Sequence, residues 1–131
     1  MNIFVLRRFT AYVFDEFKSD IQEDFANRNG LLFVGGFAHP PNADAVLWFA
    51  KDVFPKIREQ IKVNFYIVGS KVTDEIKALE QPGNGIIVKG FVSEEELADL
   101  YRNCRIVVVP LRYGAGVKGK VVEAIYNGAP I

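Results

Sequence analysis

Cysteine, histidine and tryptophan each occur once in this 131-residue chain, and its one methionine is Met1. A single cysteine, Cys104, excludes an internal disulfide and fits a reducing compartment. Charge of one sign is not in excess: acids and bases balance at 16 each. Without a global basic field, general nucleic-acid binding is disfavoured. No apolar run approaches the roughly 20 residues of a membrane span. The opening Met1-Asn-Ile-Phe-Val-Leu-Arg-Arg8 lacks the charge-then-apolar order of a secretory signal. The P-loop signature is missing, since no Gly-Lys-Ser/Thr occurs. These absences lead to the expectation of a cytoplasmic protein, with peripheral contact at the inner face of a membrane left open. Half of the residues are hydrophobic, which argues against disorder and for one domain with a real core.

What is present has a regular rhythm from residue 31 onward. Leu31-Leu-Phe-Val34, Phe65-Tyr-Ile-Val68, Ile86-Ile-Val-Lys89 and Ile106-Val-Val-Val109 are short runs of apolar, β-branched and aromatic residues. They are too short for helices and read as buried strands. Helical patterns lie between them. The first spans about residues 42–61, with Val46, Phe49, Ala50, Val53, Phe54, Ile57 and Ile61 on one face and Pro55 as an interruption. The second covers about 74–79, with Thr73 as N-cap. The third opens with Ser93 and Glu96 as a capping box and turns Leu97, Leu100 and Tyr101 inward. The fourth covers about 119–126, and Gly128 follows as its C-cap. Strands alternating with helices predict an α/β parallel sheet covered by helices. Residues 1–30 break the rhythm and read as a lead-in or linker; residues 31–131 read as the domain. Pro130-Ile131 reads as the first step of another strand, so the chain is expected to belong to a longer protein.

Special residues gather where the strands end: Gly35-Gly36-Phe37, Gly69-Ser70, Gly90-Phe91-Val92 and the loop from Leu111 to Gly119. In open parallel sheets ligands bind outside these ends. The last loop carries Gly114, Gly116, Gly119, Arg112, Lys118 and Lys120 and opens a helix. Glycines allow close backbone approach, and cations with a helix start attract anions. Glu123, set among apolar neighbours, reads as a buried acid able to reach ligand hydroxyls. The layout suits a ligand with a diphosphate and a ribose. Gly114-x-Gly116-x-x-Gly119 matches a dinucleotide pattern, but it follows the wrong strand and lacks the later ribose-binding acid. Each residue also has a plainer reading. Gly69 can simply end a strand, Arg112 can pair with an acid inside the domain, and Lys118 and Lys120 can be solvated. His39 suits a loop cap or the surface better than a phosphate contact. Trp48 and Cys104 read as packing.

Four blocks, in order, carry a family resemblance: Gly35 to Phe49, Phe65 to Ser70, Gly90 to Leu97 and Pro110 to Pro130. Together they resemble the C-terminal half of a GT-B glycosyltransferase of the large retaining group 4 ("glycosyl transferases group 1"). The sharpest block is Gly114-Ala-Gly-Val-Lys-Gly-Lys-Val-Val-Glu-Ala124. The resemblance implies a Rossmann-like domain with helices on both faces, incomplete at its C-terminus. It implies binding of a nucleotide-diphosphate sugar, with no metal and no cofactor, because cations and a helix start neutralise the leaving diphosphate. The acceptor glycan or lipid-linked sugar, and the histidine expected as base, would belong to an N-terminal domain. No catalytic residue is therefore assigned within this sequence, and a fragment of this kind is expected to lack turnover.

By the same resemblance, Glu123 matches the second glutamate of a Glu-x7-Glu motif and is expected to bind the ribose. The first glutamate falls at Ala115, so that half is absent. Backbone amides of Gly116, Val117, Lys118 and Gly119 are expected to face the sugar and phosphates. The basic pair usual after the first strand is replaced by Gly36, Phe37 and the His39-Pro-Pro-Asn42 stretch, with Arg112, Lys118 and Lys120 as candidates to restore the charge. Phe91 and Val92 match positions that meet the base, with Leu97 packing behind. The expected activity is transfer of a sugar to a hydroxyl, in polysaccharide or glycolipid synthesis. The alternative is a non-catalytic nucleotide-binding or interaction module on the same fold.

Overall fold

The computed structural model describes residues 27–114 and 119–131. Four strands, β1 (Leu31–Val34), β2 (Phe65–Val68), β3 (Ile86–Gly90) and β4 (Ile106–Val107), form one sheet in the order β3-β2-β1-β4. Every pairing is parallel: Leu31 lies opposite Phe65 on one side and opposite Ile106 on the other. All four predicted strands are there. The last is shorter than its apolar run, although Val108 N–H still reaches the Leu32 carbonyl at 2.8 Å. Beyond it Pro110 has no N–H to continue a ladder.

Alternation along the strands feeds two cores, as a doubly covered sheet requires. Phe33, Phe65 and Ile67 face one layer, and Leu32, Val68 and Val107 face the other. The first layer holds α1 (Pro40–Trp48), a π-helical stretch (Phe49–Val53), α2 (Phe54–Gln60) and α3 (Asp74–Lys77). The second holds α4 (Glu94–Asn103) and α5 (Gly119–Tyr126). The protein is thus an α/β fold with helices on both faces of a parallel sheet, as the alternation predicts.

The long first helix is broken by its proline. Pro55 lacks an N–H and would clash with the carbonyl of Lys51 in a regular α-helix, so the preceding turn widens. Phe54 N–H bonds back to Phe49, five residues earlier. That wider turn aligns Phe49 and Phe54 against one partner, with ring centroids 4.9 Å and 5.5 Å from Phe65. Ile61, expected on the buried face, lies past the helix end and is 62% exposed.

The caps follow their residue types. Thr73 Oγ1 accepts from Ile76 N–H at 3.3 Å and Ser93 Oγ from Glu96 N–H at 3.1 Å. Only half of the capping box forms, because the Glu96 carboxylate accepts from Lys89 Nζ at 2.9 Å instead. At the end of α5, Gly128 takes φ +69°, its N–H bonds to Ile125 O at 3.0 Å, and Ala129 N–H bonds to Ala124 O at 2.9 Å. This is a complete Schellman closure. It returns the chain to the sheet edge, where Val107 N–H donates to Pro130 O at 2.6 Å.

Part of the expected lead-in belongs to the domain's packing. Arg28 is buried, and its Nη1 donates to the carbonyls of Tyr101 (2.9 Å) and Cys104 (3.3 Å). A guanidinium here satisfies carbonyls left open at the end of α4 and matches the negative end of its dipole. Asn29 N–H adds a bond to Asn103 O at 2.8 Å.

Candidate functional site

The strand order defines where a ligand fits. The chain runs outward from β1 through β2 to β3, then returns to place β4 on the opposite side of β1. The connections after β1 and β4 therefore leave in opposite directions, with α1 on one face of the sheet and α5 on the other. A crevice opens at such a switch point, outside the carboxyl ends of the two strands.

Two side chains meet at that switch point. Asn42, on the first turn of α1, is 6% exposed. Its Nδ2 donates to Gly36 O at 2.8 Å, and its Oδ1 accepts from Lys120 Nζ on the first turn of α5. The ammonium also lies 5.0 Å from the centre of the Phe33 ring, a cation–π contact. Gly35 leaves room for this closeness: a Cβ there would stand 2.8 Å from Lys120 Nζ and 2.9 Å from Asn42 Nδ2, so that one or both side chains would have to shift. Gly69 is required by another close approach: a Cβ would overlap Gly35 O at 1.7 Å. The plainer reading of Gly69 is thereby given its reason, because two strand ends touch there. Gly36 is less crowded, its nearest neighbour being Ser70 Oγ at 3.4 Å.

Glu123 lies one turn beyond Lys120 on α5. It is exposed, which corrects the expectation of a buried acid; of this helix the buried residues are Ala124 and Ile125. The Tyr101 hydroxyl donates to Glu123 Oε2 at 3.3 Å. Tyr101 is fully buried. Burial first, and then the Glu123 carboxylate, drive the phenol's pKa well above the ordinary tyrosine value. The hydroxyl therefore stays a donor, and it anchors one carboxylate oxygen.

Arg112 takes the plainer of its two readings. Its Nε and Nη2 donate to Asp44 Oδ2 (2.9 Å) and Oδ1 (2.5 Å), and its guanidinium lies 5.3 Å from the centre of the Trp48 ring. Phe37 is a correction. Its ring is 5% exposed and stacks on Phe33 at 5.9 Å, while its N–H donates to Ser70 O at 2.9 Å. It supports the loop from below, with neither ring nor amide left for a ligand. His39 is exposed at the N-cap of α1 and makes no side-chain cap bond.

Phe91, just beyond β3, is 82% exposed, while Val92 and Leu97 pack into the second core. Gly119 opens α5. Ala115, Gly116, Val117 and Lys118 lie outside the described residues. Cys104 is buried, and burial pushes its thiol up to about 11, the state of a packing residue and not of a nucleophile. Among the described residues, no group of three or more His, Cys, Asp or Glu is placed to hold a metal ion, and no helix is long and apolar enough to cross a membrane.

Asn42 and Asp44 were not singled out in the sequence. Their partners lie 78 and 68 residues away, so no local pattern announces them. The one available signal was an Asn and an Asp inside a helix otherwise facing the core.

A doubly wound parallel sheet with glycines and a lysine gathered at its switch point is a frame on which ligand sites are commonly built. Comparison with known proteins makes this specific. Residues 28–131 match the family described as glycosyl transferases group 1, and the chain belongs to that family. It is also 33% identical, over 121 residues, to an uncharacterized 44.6 kDa protein in the cps region of Klebsiella pneumoniae. That match covers 88% of this chain and 31% of the relative, so the chain spans about a third of the relative's length. No solved structure matches significantly.

Proposed function

We propose that this domain binds the nucleotide-diphosphate sugar of a retaining GT-B glycosyltransferase, in the crevice between β1 and β4. The observation that carries the reading is the meeting of Lys120 and Asn42 beside Gly35 and Gly36, with Glu123 one turn further along α5. The two ends of the arrangement suit the two ends of such a donor. The ammonium faces the diphosphate, and the carboxylate accepts from the ribose hydroxyls. Phe91 offers an exposed ring near the place expected for the base.

In the reaction, the bond between the anomeric carbon and the diphosphate oxygen breaks, and a bond to an acceptor hydroxyl forms. Negative charge grows on the departing diphosphate. A cation already fixed in place lowers that barrier without reorganising. The amides of residues 116–119 and the Lys118 side chain are proposed to share this work without a metal. The acceptor, a polysaccharide or lipid-linked glycan, and the base are supplied by a second domain. The relative from a cps region supports a role in polysaccharide synthesis. Ala115, where the family motif has its first glutamate, favours one second reading: a domain that binds nucleotide without turnover.

Calorimetric titration with UDP, GDP, ADP and their sugars tests the donor site. One nucleoside diphosphate should bind, and Glu123→Ala should weaken it by about tenfold, the scale of a lost charged hydrogen bond, with the fold intact. Absence of binding at millimolar nucleotide would sink the reading.

A further inference from the structure

We infer that Asn42 is a positioning residue, whose side-chain amide holds the Lys120 ammonium beside the Gly35–Gly36 loop as the diphosphate-facing cation. This rests on the donor-site reading above and assigns within it a residue that acts through another.

The chemistry of the two partners dictates the residue type. Gly36 O can only accept, and the ammonium can only donate. The group between them must donate on one side and accept on the other. An amide does both, so its nitrogen faces Gly36 O (2.8 Å) and its oxygen faces Lys120 Nζ. Aspartate would lose the donor, and leucine both. The residue is 6% exposed, so water competes little for either bond.

The cation needs such a holder. A lysine stem is long and rotamer-rich, and an ammonium left in water would sample many positions. Here Asn42 Oδ1 and the Phe33 ring hold the charge against Gly35, where the missing side chain leaves space for it. Among the described residues, other positive sources at this strand end are limited. Pro40 and Pro41 remove two N–H groups from the start of α1. Arg112 has its Nε and Nη2 engaged by Asp44. Among the described residues, Lys120 is thus the cation that the fold delivers to the carboxyl end of β1, and Asn42 fixes where it stands.

The test compares phosphate selectivity with the location of the ammonium. The probe is whichever of UDP, GDP and ADP the wild-type chain binds most tightly, set against its monophosphate. Asn42→Ala and Lys120→Met should each lower the diphosphate-to-monophosphate affinity ratio by about tenfold. The double variant should lose little more than either alone. A purely structural role would instead weaken both nucleotides equally. Acetic anhydride labelling of Lys120, read by mass spectrometry, gives a ligand-free measure. The amine should label faster in Asn42→Ala and slower in Asn42→Asp, while both variants lose phosphate selectivity. Asn42→Asp also serves if the alanine variant fails to fold. An unchanged ratio in Asn42→Ala, or unchanged labelling in both variants, overturns the inference. Wild-type protein that binds no nucleotide overturns the donor-site reading and the diphosphate assignment with it. The labelling rates then still decide whether Asn42 fixes the ammonium.

Discussion

Arg112 and Asp44 form a two-pronged ion pair across 68 residues of sequence, with Nε to Oδ2 at 2.9 Å and Nη2 to Oδ1 at 2.5 Å. The hydrogen bonds from Arg112 hold the Asp44 carboxyl below its ordinary range. A depressed carboxylate contributes stability above its unfolded pKa of about 4, lost as pH falls through the lower folded value. The pair is solvent-accessible, so that contribution is small. Arg112→Ala should raise the Asp44 pKa toward the ordinary value, read by NMR titration. Because the guanidinium is already engaged, the same variant should lower diphosphate affinity by less than about twofold, where Lys120→Met loses about tenfold. Equal losses would mean that Arg112 leaves Asp44 to meet the ligand.

Tyr101 and Cys104 predict an alkaline limit to stability. Burial raises both, the thiol to about 11 and the phenol further. A group raised in the folded state contributes fully below its unfolded pKa and loses that contribution as pH rises toward the folded one. Unfolding should therefore become easier from about pH 9, with a slope near 1.4 kcal/mol per pH unit for each group in its window. Urea midpoints between pH 7 and 11 measure this. Tyr101→Phe and Cys104→Ser should each flatten the slope; a flat wild-type profile would refute the burial argument.

The Tyr101 hydroxyl should also matter for ribose. Tyr101→Phe keeps the ring in the core and removes only the donor to Glu123. It should cost about 1 kcal/mol of stability. It should also narrow the preference for the nucleoside diphosphate over its 2′,3′-dideoxy analogue, because the carboxylate then loses its anchor. Glu123→Gln should narrow it further. A dideoxy analogue that binds wild type as well as its parent would detach Glu123 from the ribose.

How much was legible follows from the range of each interaction. Strands β1 to β3, the caps Thr73 and Ser93 and the closure at Gly128 depend on neighbours within a few residues, and their residue types declare them. Lys120 was a candidate because it sits in a glycine-rich loop. Its holder was not, since Asn42 comes from the other face of the sheet. Glu123 was misjudged for a related reason. Apolar neighbours suggested burial, but α5 also exposes Val122 (55%) and Tyr126 (77%), so an apolar neighbourhood in sequence is not a buried one in space. Arg28 escaped notice because its partners are carbonyls of Tyr101 and Cys104, which no side-chain pattern reveals.

The widened turn before Pro55 gives a final prediction. Phe49 and Phe54 are five residues apart, a spacing that puts them about 140° apart on a regular α-helix, at the two edges of its apolar face. The π-helical stretch brings both rings onto Phe65, which is fully buried. Pro55→Ala removes the clash that favours the wide turn and permits a regular one. A regular turn would rotate Phe54 off Phe65. Two outcomes are distinguishable by the coupling between sites. If Phe65 packing holds the wide turn, Phe65→Ala alone should cost about 3–5 kcal/mol and Pro55→Ala alone little. The double variant should then lose less than the sum, because the relaxed helix no longer needs the missing ring. Denaturant unfolding of the four proteins measures the cycle. Strict additivity would show that the shape of the turn is not coupled to packing on Phe65.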